Sequence, residues 1–464
     1  MPKTLKEIFE EGRNASSIVR DLKKKTITVI PWSELEREYN PKKHPVMTDA
    51  AYNSKSDRKG KDRKVTRVIL PWQKLATRRM ASLAFGIPVK RVYKPKDDNG
   101  KLAAAVIESI YKRNHINSVN LERAEFLYAA CEVVTIWYTQ EQETVYAGET
   151  SKYKLRCKNY SPKKGDSLYP LFDEFDDMIA LSVEYTREED NQKVTYFDTF
   201  TADHHYRWRM NGSEAVPDLD EDIQIGKING IYGTRELPIW EEQSENVSEA
   251  EWCYSYNGNY VRKNSRPNWV VFCDPQDKVK VGQEKDDERL GRNVLKYPAN
   301  AKAEYKTWDQ SIESIKFHTS ELKKNFFMSL QLPDMSSDSM KETPMSGESR
   351  KMLFIDCQMK VLNESGIWIE YFDREMSVVK AFAMKMFPKL AKAIEELEVE
   401  NVITPFTIRD EGERITNYTN ATGGKAVMSR RTAVGRLGLV DDVDEEIETI
   451  EKEEKVELFD EPTE

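Results

Sequence analysis

The stretch LPDMSSDSMKETPMSGESRKMLF, Leu332 to Phe354, interrupts the most helical part of the chain with residues that offer almost nothing to a core. On its N-terminal side, Trp308, Ile312, Ile315, Leu322, Phe326 and Leu330 step by three or four, with Thr319 filling the gap. That spacing predicts an amphipathic helix over 303–330. On its C-terminal side, Phe354, Leu362, Ile369, Phe372, Met376, Val379, Phe382, Met386, Leu390 and Ile394 predict a second helix over 349–398, roughly 70 Å long at 1.5 Å per residue. Gly366 is a candidate kink point. A helix so far beyond the ordinary globular length needs an equally long neighbour to cover its apolar stripe. Adjacent copies of one elongated subunit could supply it.

Upstream, residues 132–240 are rich in short alternating or β-branched runs: EVVTIWYT, ETVYAGE, YKLRCKNY, MIALSVEYT, KVTYFDTFT and HHYRWRMN. Polar turns separate them, which predicts an antiparallel sheet. Before it, VTRVILPWQKLATRRMASLAFGIPVKRVY reads as a short strand from Val65, a helix, and an exit at Gly86–Pro88. Two helices broken near Asn114 follow, then a strand from Cys131. Residues 1–65 open with a short amphipathic helix at Leu5, Ile8 and Phe9. They continue into a polar stretch, and the basic run SKSDRKGKDRKVTR reads as a flexible surface arm.

Residues 247–263 form a helix candidate weakened by Gly258, with Ser248 as N-cap and Glu251 completing a capping box. NWVVFCDPQDKVKVGQEKDDERLGRNVLKYP then gives a strand, an exposed charged tip and a second strand. After the joint NATGGK come a short helix following Ser429-Arg430-Arg431 and a Glu-rich helix opened by Asp442 or Asp444, whose acids suit the positive end of the helix dipole. The last dozen residues read as disordered. The fold class expected is α+β.

Composition narrows the function classes. The 464 residues are 39% hydrophobic and 33% charged, with a formal charge of −9, a pI near 5.5 and a mean hydropathy of −0.71. Such an acidic chain is poorly suited to tight, static binding of nucleic acid, which runs on cationic contacts to phosphate. Low hydropathy at this length suggests an extended subunit or one completed by partners. Cys131, Cys157, Cys253, Cys273 and Cys357 are scattered and lack CxxC spacing, so they read as reduced thiols and not as a disulfide framework or zinc site. The N-terminus has no apolar signal core, and no run of about twenty apolar residues predicts a membrane span.

Catalytic constellations are not evident. There is no GxGxxG. Gly226-Lys227 and Gly424-Lys425 lack the upstream glycine of a phosphate loop, and MSGES at Ser346 lacks GxSxG order. His204 and His205 would point to opposite faces of a strand, and His44, His115 and His318 stand alone. The acidic runs Asp173–Asp177, Asp218–Asp222 and VDDVDEE read as solvated turns and helix ends. No catalytic residue, cofactor or metal is expected.

The order of elements from Val65 to Glu454 resembles the portal proteins of tailed bacteriophages, in the siphovirus-type branch. The resemblance is carried by VILPWQKLATRRMASLAFGIPVKRVY, LPIWEEQSENVSEAEW, the helix–LQLPDMSSDSM…SGES–helix step, and AVMSRRTAVGRLGLVDDVDEEIETIEKEE. It departs from the family pattern at Pro344-Met345, which replace the usual Asn before Ser-Gly, and in a short C-terminus.

The resemblance implies a portal fold. Residues 1–65 would be an N-terminal arm, 66–246 an α/β wing, 247–263 and 303–330 stem helices, and 264–302 a small α/β clip. Residues 331–348 would be a tunnel loop, 349–398 a long tunnel-lining helix, 399–425 a wing return, and 426–464 a helical crown with an acidic tail. It implies a homo-oligomeric ring, usually dodecameric, around a double-stranded DNA channel at a capsid vertex. The tunnel loop would present Met335, Ser336, Ser337, Asp338, Ser339, Met340, Lys341 and Glu342 to DNA. The clip would turn Gln283, Glu284, Lys285, Asp286, Asp287, Glu288 and Arg289 toward the terminase large subunit. Other implied partners are the major capsid and scaffolding proteins and a head-completion or adaptor protein, with no membrane.

Lys341 is balanced by Asp338 and Glu342, and Ser and Met exchange contacts without gripping, as a loop bordering moving DNA requires. Two alternatives stay open: another oligomeric phage structural protein, such as a head-completion or baseplate component, and a Mg2+-dependent hydrolase or nuclease built on the acidic runs.

Overall fold

The computed structural model describes residues 4–10, 12–52, 65–264, 269–273, 294–298, 309–332, 354–406, 411–423, 425–440 and 443–457. They fall into two units, Met1–Met335 with Asp356–Phe406, and Ser336–Ile355 with Thr407–Glu464. The architecture is mixed α+β, with several separate sheets.

The first unit opens with four short helices: α1 (Leu5–Ile8), α2 (Ala15–Leu22), α3 (Trp32–Tyr39) and α4 (Pro45–Thr48). Ile8, Val19 and Leu22 are buried in one apolar cluster with Leu171, Ala180, Phe197 and Trp208. Val19 and Leu22 stand three apart on α2 and so share the face that enters this cluster. Asn14 caps α2 by accepting the Ser17 N–H at 2.8 Å. Arg13 donates to the carbonyls of Glu7 and Ile8 at 2.9 Å. The basic run from Lys55 to Lys64 lies outside the described residues.

Helix α5 (Trp72–Phe85) ends at Gly86, where a Cβ would stand 2.4 Å from the Ser82 carbonyl oxygen. Strand β1 (Lys90–Lys94) follows, then α6 (Asp98–Arg113) and α7 (Ile116–Ala130). They are separated at Asn114 and at His115, whose φ of 50° is left-handed. Strands β2 (Glu132–Tyr146) and β3 (Glu149–Tyr160) form a hairpin turned by Ala147 and Gly148, both at positive φ, which matches the right-handed strand twist.

The meander β4 (Ser167–Phe172), β5 (Met178–Glu189), β6 (Gln192–Phe200), β7 (His204–Asn211) and β8 (Glu214–Asp222) makes a five-stranded antiparallel sheet in that order. β9 (Gly230–Thr234) joins β2 on the side away from β3. The expected runs EVVTIWYT, YKLRCKNY, MIALSVEYT, KVTYFDTFT and HHYRWRMN fall on β2, β3, β5, β6 and β7, whereas ETVYAGE spans the end of β2 and the Ala147–Gly148 turn, and β4 and β8 were not expected. Each carries a proline, Pro170 and Pro217, and each is an edge strand, where proline is tolerated. Asp218–Asp222 is thus the end of an edge strand rather than a turn, and its charges discourage edge-to-edge pairing.

Helix α8 (Ser244–Asn264) starts earlier than expected, so Ser248 is interior and caps nothing. The strand expected from Val65 is extended but pairs with no strand among the described residues. Its alternate backbone N–H groups donate to α8 side chains spaced one turn apart. Thr66 donates to Asn259 Oδ1 at 2.6 Å, Val68 to Ser255 Oγ at 2.9 Å, and Leu70 to Glu251 Oε1 at 2.6 Å. Gly258 permits the approach, since a Cβ there would meet Thr66 Cγ2 at 2.8 Å.

Strands β10 (Trp269–Cys273) and β11 (Val294–Pro298) pair in parallel.

Helix α9 (Asp309–Ser329) precedes, and α10 (Ile355–Met386) follows, the polar stretch that opened the sequence. α10 is shorter than the 349–398 expected, at about 48 Å for its 32 residues. Pro388 ends it, because proline has no N–H and pushes the residue before it out of helical geometry, here Phe387 at φ −128° and ψ 72°. The helix runs unbroken through Gly366. After α11 (Ala391–Glu396), β12 (Glu398–Val402) pairs with β1.

The second unit holds α12 (Glu411–Thr422), α13 (Arg430–Leu437) and α14 (Val443–Glu457). Ser429 caps α13 by accepting the Thr432 N–H, and Gly438 closes it at φ 68°. Arg431 pairs with Asp444 at 2.8 Å, in an acidic first turn of α14 that also carries Glu445 and Glu446.

Candidate functional site

The expected tunnel-loop residues Met335, Ser336, Ser337, Asp338, Ser339, Met340, Lys341 and Glu342 lie outside the described residues. So do the expected clip residues Gln283, Glu284, Lys285, Asp286, Asp287, Glu288 and Arg289. What is described is how the flanking helices are held.

Helix α9 ends in a tight cap. Gln331 adopts φ 53°, and the Leu332 N–H donates to the Phe327 carbonyl at 2.9 Å. Phe326, Phe327, Leu330 and Leu332 are buried, and Trp72 of α5 lies 5.6 Å from the Phe326 ring. The chain therefore leaves for the polar stretch from an apolar anchor. It returns into α10, whose Cys357 and Val361 are buried.

The middle of α10 is fixed by buried polar groups. Glu375 receives Arg123 of α7 through Oε1 at 2.7 Å and Oε2 at 3.0 Å, and Trp137 Nε1 of β2 at 3.1 Å. Burial would discharge Arg123, but the Glu375 carboxylate more than compensates and holds the guanidinium charged. The Arg123 guanidinium carbon also lies 4.9 Å from the Tyr371 and Phe372 ring centres. Tyr371 donates to Thr135 Oγ1 at 2.6 Å, and Trp368 Nε1 to Tyr128 Oη at 3.0 Å. A Cβ on Gly233 would meet Tyr371 at 2.9 Å, so β9 needs glycine there to admit the helix.

Helix α8 has its own anchor. Glu251, fully buried, accepts the Leu70 N–H and stands 2.7 Å from His44 Nδ1, while His44 Nε2 stands 2.7 Å from the Glu38 carbonyl. His44 does not stand alone, contrary to the sequence reading, and Glu251 does not complete a capping box. Nor does His318 stand alone: its Nε2 lies 3.5 Å from Glu249 Oε1. His205 Nε2 lies 3.4 Å from Asp198, and His204 Nδ1 lies 3.1 Å from Asp222, so the adjacent pair does take separate partners. The His44–Glu251 grouping was hidden because the partners are 207 residues apart in sequence.

The described thiols and one acidic run have plain structural settings. Burial pushes the thiols of Cys131 and Cys157 up to about 12 and that of Cys357 to about 11, so none is a ready thiolate nucleophile. Asp173 Oδ1 accepts the N–H groups of Phe175 and Asp177 at 2.9 Å, which makes the first acidic run a turn. A cavity of about 870 Å³ sets Lys6, Lys227 and Arg374 against Asp176, Asp177 and Asp203, with His204 also on its wall.

The helices that flank the polar stretch also expose apolar side chains. On α9, Phe317 is 71% and Met328 61% exposed; on α8, Tyr256 and Val261 are exposed, as are Met359 and Leu362 on α10. Among the described residues, no helix is long and apolar enough to cross a membrane.

A family model described as phage portal protein, SPP1 Gp6-like, matches residues 31–457. No curated protein matches the sequence. Among solved structures, a chain from the virion of a native gene transfer agent particle aligns over 92% of this chain and 99% of its own, at 10% identity and a TM-score of 0.39. A chain from the neck of an empty gene transfer agent particle aligns over 88% and 93%, at 10% identity and a TM-score of 0.36. Neither likeness is strong enough to carry an argument.

Proposed function

The chain belongs to the SPP1 Gp6-like family of phage portal proteins, a family of structural proteins, and on that premise we propose that it assembles into a ring, usually dodecameric, at one vertex of the capsid. Genomic double-stranded DNA passes through the ring during packaging and ejection. The terminase large subunit docks on one end while the head fills, and head-completion or tail proteins follow it. ATP hydrolysis belongs to the terminase, in keeping with the lack of a phosphate-binding loop in the sequence.

The observation that carries this reading is the family match over residues 31–457. Two physical features support it. Phe317, Met328, Val261 and Leu362 place apolar surface on helices that no other part of the described chain covers, and patches of that kind mark surfaces waiting for a partner. The parallel pairing of β10 and β11 suits a small α/β clip better than a simple hairpin. In the ring, residues 335–342 border the channel with little net charge, and residues 283–289 face the terminase.

Negative-stain imaging of the purified protein tests the reading. Rings with a central hole wide enough for a DNA duplex are expected. A compact monomer that closes into no ring under any assembly condition would overturn it.

A further inference from the structure

Three metal-ligating side chains that the portal reading does not use meet where α8 packs on α9. Glu249 and Cys253 stand four apart on α8 and so share one face. His318 reaches them from α9. The ligating atoms of all three lie within 4.8 Å of one another. Two edges of that triangle are tighter: Cys253 Sγ to Glu249 Oε1 and His318 Nε2 to Glu249 Oε1 are each 3.5 Å.

Those lengths are informative. Zinc bonds sulfur at about 2.3 Å and nitrogen or oxygen at about 2.0–2.2 Å, so ligands around a tetrahedral zinc stand about 3.3–3.6 Å apart. Both short edges therefore already have the length of a zinc tetrahedron's edges, and the Cys253–His318 edge lies within 4.8 Å. The ligand chemistry agrees, because thiolate, imidazole and carboxylate together suit Zn2+, whereas Mg2+ and Ca2+ take oxygen ligands alone. His318 and Glu249 are each about half exposed, so an ion can enter from solution, and water can take the fourth position.

We propose that Glu249, Cys253 and His318 form a Zn2+ site that clamps α8 to α9. On binding, the metal displaces the Cys253 thiol proton, now directed at Glu249 Oε1, to solvent, and the resulting thiolate, Glu249 and His318 link the two helices through the ion. The clamp rests on the packing of α8 against α9 and does not depend on the portal reading.

Cobalt substitution of the EDTA-treated full-length protein tests it. Titration with Co2+ is expected to give a thiolate-to-cobalt charge-transfer band that saturates at one ion per chain and is erased by Zn2+. Cys253→Ser should abolish the band, and His318→Ala should weaken Co2+ binding by about tenfold or more. On the unmodified protein, Zn2+ should slow alkylation of Cys253, mapped by peptide mass spectrometry, and EDTA should restore it. Absence of the band, a band that survives in Cys253→Ser, or Cys253 alkylation indifferent to Zn2+ would each overturn the proposal.

Discussion

Arg123 and Glu375 meet with both side chains withdrawn from water, and a charge in that position is tolerable only while its partner is present. Replacing Arg123 by Met should therefore cost about 3–5 kcal/mol, whereas Arg123→Met with Glu375→Leu should recover most of the loss. Denaturant midpoints of the single and double variants check this. A second buried carboxylate gives a pH signature. Burial alone would raise the Asp198 carboxyl, but hydrogen bonds from His205 and from Arg207, the latter at 2.8 and 3.0 Å, outweigh it and hold the group below its ordinary value. A depressed folded-state value contributes stability that is fully present above the unfolded value of about 3.9 and is lost as pH falls through the folded one. Asp198→Asn should flatten the loss of stability below about pH 4, read as urea midpoints against pH. The Arg123–Glu375 pairing could not be read from the sequence, because the two residues are 252 apart and carry no local pattern.

At the scale of the element, the contact between residues 66–70 and α8 reverses a usual sign. Glycine to alanine inside a helix ordinarily stabilises by about 1 kcal/mol. Gly258→Ala should instead destabilise, because its Cβ would press on Thr66 Cγ2 at 2.8 Å. Removing that methyl with Thr66→Ala should restore the ordinary sign, and a double-mutant cycle in denaturant measures the coupling. The sequence read Gly258 only as a weakness, since the close neighbour lies outside any local window. The apolar and β-branched runs did reveal the helices near 72–85, 98–130 and 309–329 and the strands β2, β3, β5, β6 and β7. The sequence reading missed β4 and β8, where Pro170 and Pro217 speak against strand although both strands lie at sheet edges. It also ran α10 through Phe387, counting Leu390 and Ile394 as further turns of a helix that Pro388 stops.

At the scale of the whole molecule, the predictions concern assembly and passage. Phe317 is 71% exposed, and if the proposed ring buries it against a neighbour, Phe317→Asp should leave the subunit folded by circular dichroism but reduce ring formation by size-exclusion chromatography. Deleting Ser336–Glu342 should spare the ring and impair DNA packaging or retention; loss of the ring itself would contradict the loop assignment. Charge reversal at Asp286 and Asp287 should weaken initiation by the terminase, and unchanged initiation would remove the clip from that role. The extended segment before α5 bears on how the N-terminal helices are attached. Two extended residues advance about 6.6 Å and four helical ones about 6.0 Å, so the two rulers drift by more than half an ångström per rung. Like a vernier, they coincide only over a short span, which here covers Thr66, Val68 and Leu70. A slip by one residue would turn those three donors toward solvent, so this linker can settle at only one graduation.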